Sequence, residues 1–302
     1  MDSILSNEVF FTFDDDDSED IEKVSLWVVD GEQIRPSTNL GVTNKLNPGI
    51  YKVGVSRDYG IYCKKVDISS DELFYFSDSI IPSLIQEITL FWDKADLYKQ
   101  NKLIHKRGIL FCGYPGCGKT SIISLLCNEI IKRKGVVFIV EDANNLSIYT
   151  NFIKNNFRQI EPNTPIITII EDLDNYGNND LILDFLDGKS QIEHHLLLTT
   201  ANNTLNIPDA YLRPSRIDLK VEVTLPNETI RKEYFLHKKL DLETAQNLAS
   251  KTEDFSLAEL KELYIAIYIL DYSLEESLLK IKTPHIKKDF SSKRLKTNKL
   301  GI

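Results

Sequence analysis

The chain is 302 residues long, 42% hydrophobic and 27% charged, with a formal net charge of −9. That composition belongs to a globular protein with room for two or three domains. Its net negative charge argues against a whole-molecule attraction to nucleic acid or anionic lipid. The four cysteines, Cys63, Cys112, Cys117 and Cys127, lack metal-ligand spacing, which predicts reduced thiols and a cytoplasmic setting.

Residues 1–21 carry the acidic run Asp14 to Asp20 and read as a flexible leader without a basic signal-peptide region. Residues 22–70 read as a small β-rich module. Val24 to Val29 and Glu32 to Ile34 flank a turn at Asp30-Gly31, and Ile50 to Val55 and Ile61 to Val66 form a second hairpin. Its aromatics Trp27, Tyr51 and Tyr62 are expected in the core. Ile80 to Trp92 is broken by Pro82, Ser83, Gln86 and Glu87, so it predicts an amphipathic helix rather than a membrane span.

An alternating β/α series follows over 71–226. Bare apolar runs at 108–112, 136–140, 166–170, 196–200 and 221–223 predict a five-stranded parallel sheet covered on both faces. Between its first strand and a helix from Lys119 to Arg133 stands Gly113-Tyr114-Pro115-Gly116-Cys117-Gly118-Lys119-Thr120, followed by Ser121. This is a GxxxxGK[ST] phosphate loop in its required strand–loop–helix context. Glycines let consecutive amides turn toward phosphate oxygens, and the helix N-terminus adds partial positive charge. Lys119 is expected to reach the terminal phosphates of a nucleoside triphosphate, and the Thr120 hydroxyl to ligate Mg2+. Gly135 is expected to stop the helix.

The strand at 166–170 delivers Glu171 and Asp172 at its end, an arrangement suited to holding a metal ion and orienting an attacking water. Asp174 is a fallback for the second role. Asn202, in Thr199-Thr200-Ala201-Asn202, can address a terminal phosphate. Arg213 and Arg216, in Leu212-Arg213-Pro214-Ser215-Arg216, suit the neutralisation of phosphoryl charge. Beyond Pro226, Asn227 and the capping boxes Ser256/Glu259 and Ser273/Glu276 predict a helical subdomain over 227–282. Residues 283–302 form a basic tail; Lys280 to Lys299 contains seven lysines and Arg294.

In order, the phosphate loop, acidic strand end, Leu186-Asp187-Gly188, Thr-Thr-Ala-Asn and Leu-Arg-Pro-Ser-Arg resemble the AAA branch of the AAA+ ATPases. The Gly108-to-Ser121 stretch, the Glu-then-Asp order and the Thr-Thr-x-Asn strand end are most similar to the mitochondrial Rieske-protein translocase-like branch. Compact bacteriophage AAA ATPases are also similar. The resemblance implies ATP and Mg2+, Glu171 on the metal, Asp172 on the water and Asn202 as sensor. It further implies Arg213 and Arg216 donated to a neighbouring subunit of a ring, usually a hexamer, with 227–282 as a lid and His237 by the adenine.

The family commonly has Asp then Glu at the third strand, so Asp172 is one methylene short. Residues 142–149 lack the aromatic-hydrophobic-glycine pore loop of threading rings. Two readings of the action follow: remodelling or translocation of a protein client recruited by the β-module, or a nucleic-acid-associated ATPase using the basic tail.

Overall fold

The structure, a computed structural model, describes residues 26–30, 33–37, 45–56, 60–66, 76, 80–187 and 192–281. The acidic leader and basic tail lie outside the described residues. The chain divides into two units, 1–44 and 45–302. In the first, β1 (Leu26–Asp30) and β2 (Gln33–Ser37) pair antiparallel, with Asp30 opposite Gln33.

The second unit is built on one seven-stranded sheet. Its strands are β3 (Gly49–Ser56), β4 (Gly60–Val66), β5 (Lys106–Gly113), β6 (Val136–Ile139), β7 (Ile166–Ile170), β8 (His195–Ala201) and β9 (Leu219–Val223). Their order is β4-β3-β6-β7-β8-β5-β9. The five expected strands are all present, and the expected count is corrected to seven. β3 runs parallel to β6 and turns back antiparallel into β4. The expected module over 22–70 is therefore divided, because its second hairpin hydrogen-bonds to the edge of the α/β sheet.

The strands alternate between two apolar faces, as a sheet buried on both sides requires. On one face α1 (Ile81–Asp93) and α3 (Lys119–Lys132) pack over Ile109, Phe111, Val137, Ile167 and Leu198. The short α2 (Ala95–Gln100) follows α1. On the other face α4 (Leu146–Phe152) continues through a π-helical segment, Ile153–Phe157, into one turn, α5 (Arg158–Ile160). Together with α6 (Asp180–Asp187) this layer packs on Leu110, Phe138, Ile166, Ile170 and Leu197. Burial of each such side chain contributes about 1.5–3 kcal/mol.

α1 confirms the amphipathic reading: Leu84, Ile88 and Phe91 are buried, whereas Leu90 is exposed. No helix among the described residues is long and apolar enough to cross a membrane. At the end of α3 the left-handed residue is Lys134 (φ 62°), not the expected Gly135. Gly135 is needed for a different reason: a Cβ there would lie 2.7 Å from Ile130 and 2.9 Å from the Pro165 carbonyl. Of the aromatics expected in the module core, Tyr51 is buried, but Tyr62 is exposed and covers Gly54. The Trp27 side chain lies outside the described residues.

After β9 come α7 (Glu228–His237), α8 (Leu242–Lys251) and α9 (Leu257–Tyr268), capped by Asn227, Asp241 and Ser256. Phe235, Leu248, Phe255, Leu260 and Leu263 give them a core of their own. The capping box Ser256/Glu259 is formed, and Ser273 and Glu276 exchange the same pair of bonds ahead of helical residues 274–281.

Candidate nucleotide site

The site is assembled where β5, β7 and β8 end side by side. β5 stops at Gly113, which lies so close to β9 that a Cβ would sit 2.1 Å from the Val223 carbonyl oxygen. The chain then turns through Gly116 (φ 81°) and Gly118 (φ 95°), left-handed conformations that favour glycine. Tyr114, Pro115 and Gly116 are exposed on the loop, and Thr120 and Ser121 are exposed at the start of α3. Cys117 is buried under the loop; burial pushes its thiol pKa up, against the opposing pull of Lys119. That thiol is held protonated rather than activated.

Lys119 is almost completely buried, and its ammonium has all three donors in use. It donates to the carbonyls of Gly113 (2.8 Å) and Tyr114 (3.1 Å) and to Asn202 Oδ1 (2.7 Å). The Asn202 amide donates in turn to Asp172 Oδ1 at 3.1 Å. One continuous chain thus joins Lys119, Asn202 and Asp172 across three strand ends. The Thr120 hydroxyl donates to Glu171 Oε1 at 3.2 Å. A hydroxyl beside a carboxylate at the start of α3 is the oxygen donor set a hard divalent cation takes. The glycine cradle and the buried ammonium likewise suit a triphosphate.

Asp172 has a left-handed backbone (φ 50°, ψ 52°), and its amide donates to the buried Thr200 hydroxyl at 2.9 Å. Thr200 was quoted in the strand-end motif only as a neighbour of Asn202; here it fixes where Asp172 points. Asp174 is occupied elsewhere, accepting from the amides of Asn202 (3.2 Å) and Asn203 (2.9 Å), so it shapes the turn that carries Asn202.

Two cavities flank the loop. One, of about 270 Å3, is mainly apolar and lies among Ile80, Ile81, Cys117, Ser121, Pro226, Ile230 and Leu257. The other, of about 520 Å3, opens between Thr120, Glu171 and Asp172 and is closed by Lys52, Glu141 and Tyr176. His237 lines neither cavity. It lies seven residues beyond Ile230, about 10 Å further along α7.

The two arginines differ. Arg213 is exposed. Arg216 is mostly buried and committed within its own chain, donating to the Ala210 carbonyl and to Asp187. Its hydrogen bond holds the Asp187 carboxyl below the usual carboxylate range. Within the chain the Arg216 guanidinium thus pins α6 to the arginine turn.

A glycine-cradled lysine, a hydroxyl–carboxylate pair and a polar strand end on a parallel sheet define a P-loop nucleotide-binding domain. Residues 109–225 match the ATPase family associated with various cellular activities (AAA). That stretch is thus similar to an AAA ATPase domain, and ATP hydrolysis is the chemistry the comparisons support. Among similar proteins, the proteasome-associated ATPase of Frankia alni is 26% identical over 52% of this chain and 31% of its own length. An AAA ATPase forming ring-shaped complexes from Corynebacterium diphtheriae is 25% identical over 66% of this chain and 45% of its own. The proteasome-activating nucleotidase of Sulfurisphaera tokodaii is 26% identical over 79% and 69%, respectively. The chain thus spans under half the length of the first two relatives.

Proposed function

We propose that the protein is a ring-forming ATPase that couples ATP turnover to remodelling or translocation of a protein client. The observation that carries this reading is the hydrogen-bonded chain from Lys119 through Asn202 to Asp172. It ties the phosphate-binding cation to the water-orienting carboxylate through one sensor side chain, so a bound terminal phosphate changes all three together. Residues Gly113 to Ser121 hold the phosphates, with Mg2+ on Thr120 and, partly through water, on Glu171. The apolar 270 Å3 cavity suits the adenine. Helices α7 to α9 act as the lid, since Ile230 and Leu257 both face that cavity. Bound Mg2+ supplies neutralisation of phosphate charge; Asp172 orients the water, and Thr200 and Asn202 hold Asp172.

Arg213, exposed on its turn, is donated to the site of the next subunit. The ring is a hexamer, closed by repeating that one heterologous interface. Relatives named for ring-shaped complexes and for proteasome association support a ring acting on protein. The Glu171–Asp172 order and the Thr199–Asn202 end support a place near the Rieske-protein translocase-like branch and the compact phage ATPases. Four free cysteines, three of them buried, fit a cytoplasmic setting.

The shared site is tested by mixing. Arg213→Ala and Lys119→Ala proteins are each expected to be inactive, the first by about 10³-fold or more. Co-assembled mixtures are expected to regain part of the turnover, because intact sites form between unlike subunits. Verified mixed rings with no recovered activity at any ratio would refute the trans assignment.

A further inference from the structure

We propose that Lys52 is a positioning residue of the nucleotide cavity, neutralising Glu141 on the wall that faces Thr120, Glu171 and Asp172. The proposal rests on the ATP-site reading above and brings in Lys52, which lies ahead of the region matched to the family, beginning at 109.

The geometry comes from strand pairing. β3 lies parallel to β6 with Lys52 opposite Ile139, and Ile139 lines the 520 Å3 cavity. β6 ends there, and Glu141 follows two residues later, so the Lys52 ammonium meets the Glu141 carboxylate in an ion pair. Both side chains line the same cavity as Thr120, Glu171 and Asp172. Glu141 is also held from the other side: Tyr176, a third residue of this wall, donates its hydroxyl to the Glu141 carbonyl at 3.3 Å.

Stability does not account for the pair. Its side chains are 41% and 64% exposed, and exposed ion pairs contribute roughly 0–1 kcal/mol. Lys64 stands directly opposite Lys52 on β4, a like-charge arrangement that costs stability. The location gives the pair its use. Glu171 and Asp172 already place two carboxylates in this cavity, and a triphosphate adds several more negative charges. A third, uncompensated carboxylate at Glu141 would repel the phosphate tail and compete for its cation. Lys52 removes that charge without occupying the site. The β3–β4 hairpin therefore serves as a wall of the ATPase cavity.

The test is equilibrium binding of a non-hydrolysable ATP analogue with Mg2+ to the full chain, by calorimetry at low ionic strength. Lys52→Ala is expected to weaken binding about two- to fivefold, the range for one solvent-screened charge. Lys52→Arg is expected to preserve affinity, and the double variant Lys52→Ala/Glu141→Gln to restore it. The defect of Lys52→Ala is expected to shrink in about 0.5 M salt. Thermal melting of each variant identifies any loss of fold. Wild-type affinity in folded Lys52→Ala, or a defect that Glu141→Gln leaves in place, overturns the proposal. Lys119→Ala is run alongside: if it still binds the analogue, the phosphate-loop reading fails instead.

Discussion

His195 provides a quantitative test of the sheet's interior. The ring is buried near the start of β8, with Nε2 2.7 Å from the Thr168 hydroxyl, which in turn meets the Tyr149 hydroxyl at 2.5 Å. Burial, reinforced by the charges of Lys106 and Arg158, pushes its pKa from 6.5 down to about 3. A native pKa depressed this way means the unfolded chain takes up the proton first. The stabilising contribution of the neutral ring is therefore complete above about pH 6.5 and is lost as pH falls toward 3. Each pH unit in that window costs about 1.4 kcal/mol, so pH 5 costs about 2 kcal/mol relative to pH 7. In a unit of this size that lowers the melting temperature by about 4–8 °C. The pKa values of His105 and His194 are lowered in the same direction, chiefly by burial, and steepen the slope. The assay is thermal unfolding followed by circular dichroism between pH 7.5 and 5. In His195→Gln, whose amide can still reach Thr168, the acid slope should shrink by about one proton. An unchanged slope would show that His195 takes up its proton without unfolding.

Two further perturbations separate binding from turnover. Asp172→Asn is expected to leave ATP affinity near wild type and reduce hydrolysis by about 10²- to 10⁴-fold, read from single-turnover rates beside equilibrium binding. Hydrolysis at the wild-type rate would move the water-orienting role to another group. Gly108→Ala places a Cβ 2.1 Å from the Arg216 carbonyl oxygen, so the turn carrying Arg213 must shift while the phosphate loop does not. It is expected to cost about 1–3 kcal/mol of stability and to lower kcat with little change in nucleotide affinity. Loss of affinity instead would show that the strain runs along β5 into the loop.

What the sequence disclosed follows from the range of each interaction. The phosphate loop, the five bare strands and the Ser256/Glu259 capping box are encoded within a few residues of themselves, and each stands where its local pattern puts it. The attachment of β3 to β6 joins segments 87 residues apart, as Lys52 opposite Ile139 shows. A strand with Lys52 and Gly54 on one face has the same alternation as any hairpin strand, so its second partner left no mark. Arg216 and Asp187 both stood in recognised motifs, yet nothing in either says that the two meet across the base of the sheet. His237 lies at the C-terminal end of α7. Two turns of α7 separate it from the part of that helix that reaches the apolar cavity.

Coupling between the loop and the helical subdomain can be argued from packing alone. The Ala258 amide at the start of α9 donates to the Gly116 carbonyl at 3.2 Å, inside the phosphate loop itself. A Cβ on Gly116 would lie 2.9 Å from Ala258, and one on Gly118 would lie 3.0 Å from Leu257. The second and third glycines of the loop are therefore constrained twice, by their own left-handed backbone and by the helix seated on them. Ser256, which caps α9, is buried at the same contact, so the helix cannot pivot without disturbing either its cap or the loop. Interiors packed this closely do not deform continuously. A ligand that spans the apolar cavity and the loop touches Leu257 and Gly118 together. Its arrival or departure must then be felt by α9, and through the shared core of Phe255, Leu260 and Leu263 by α7 and α8 as one body.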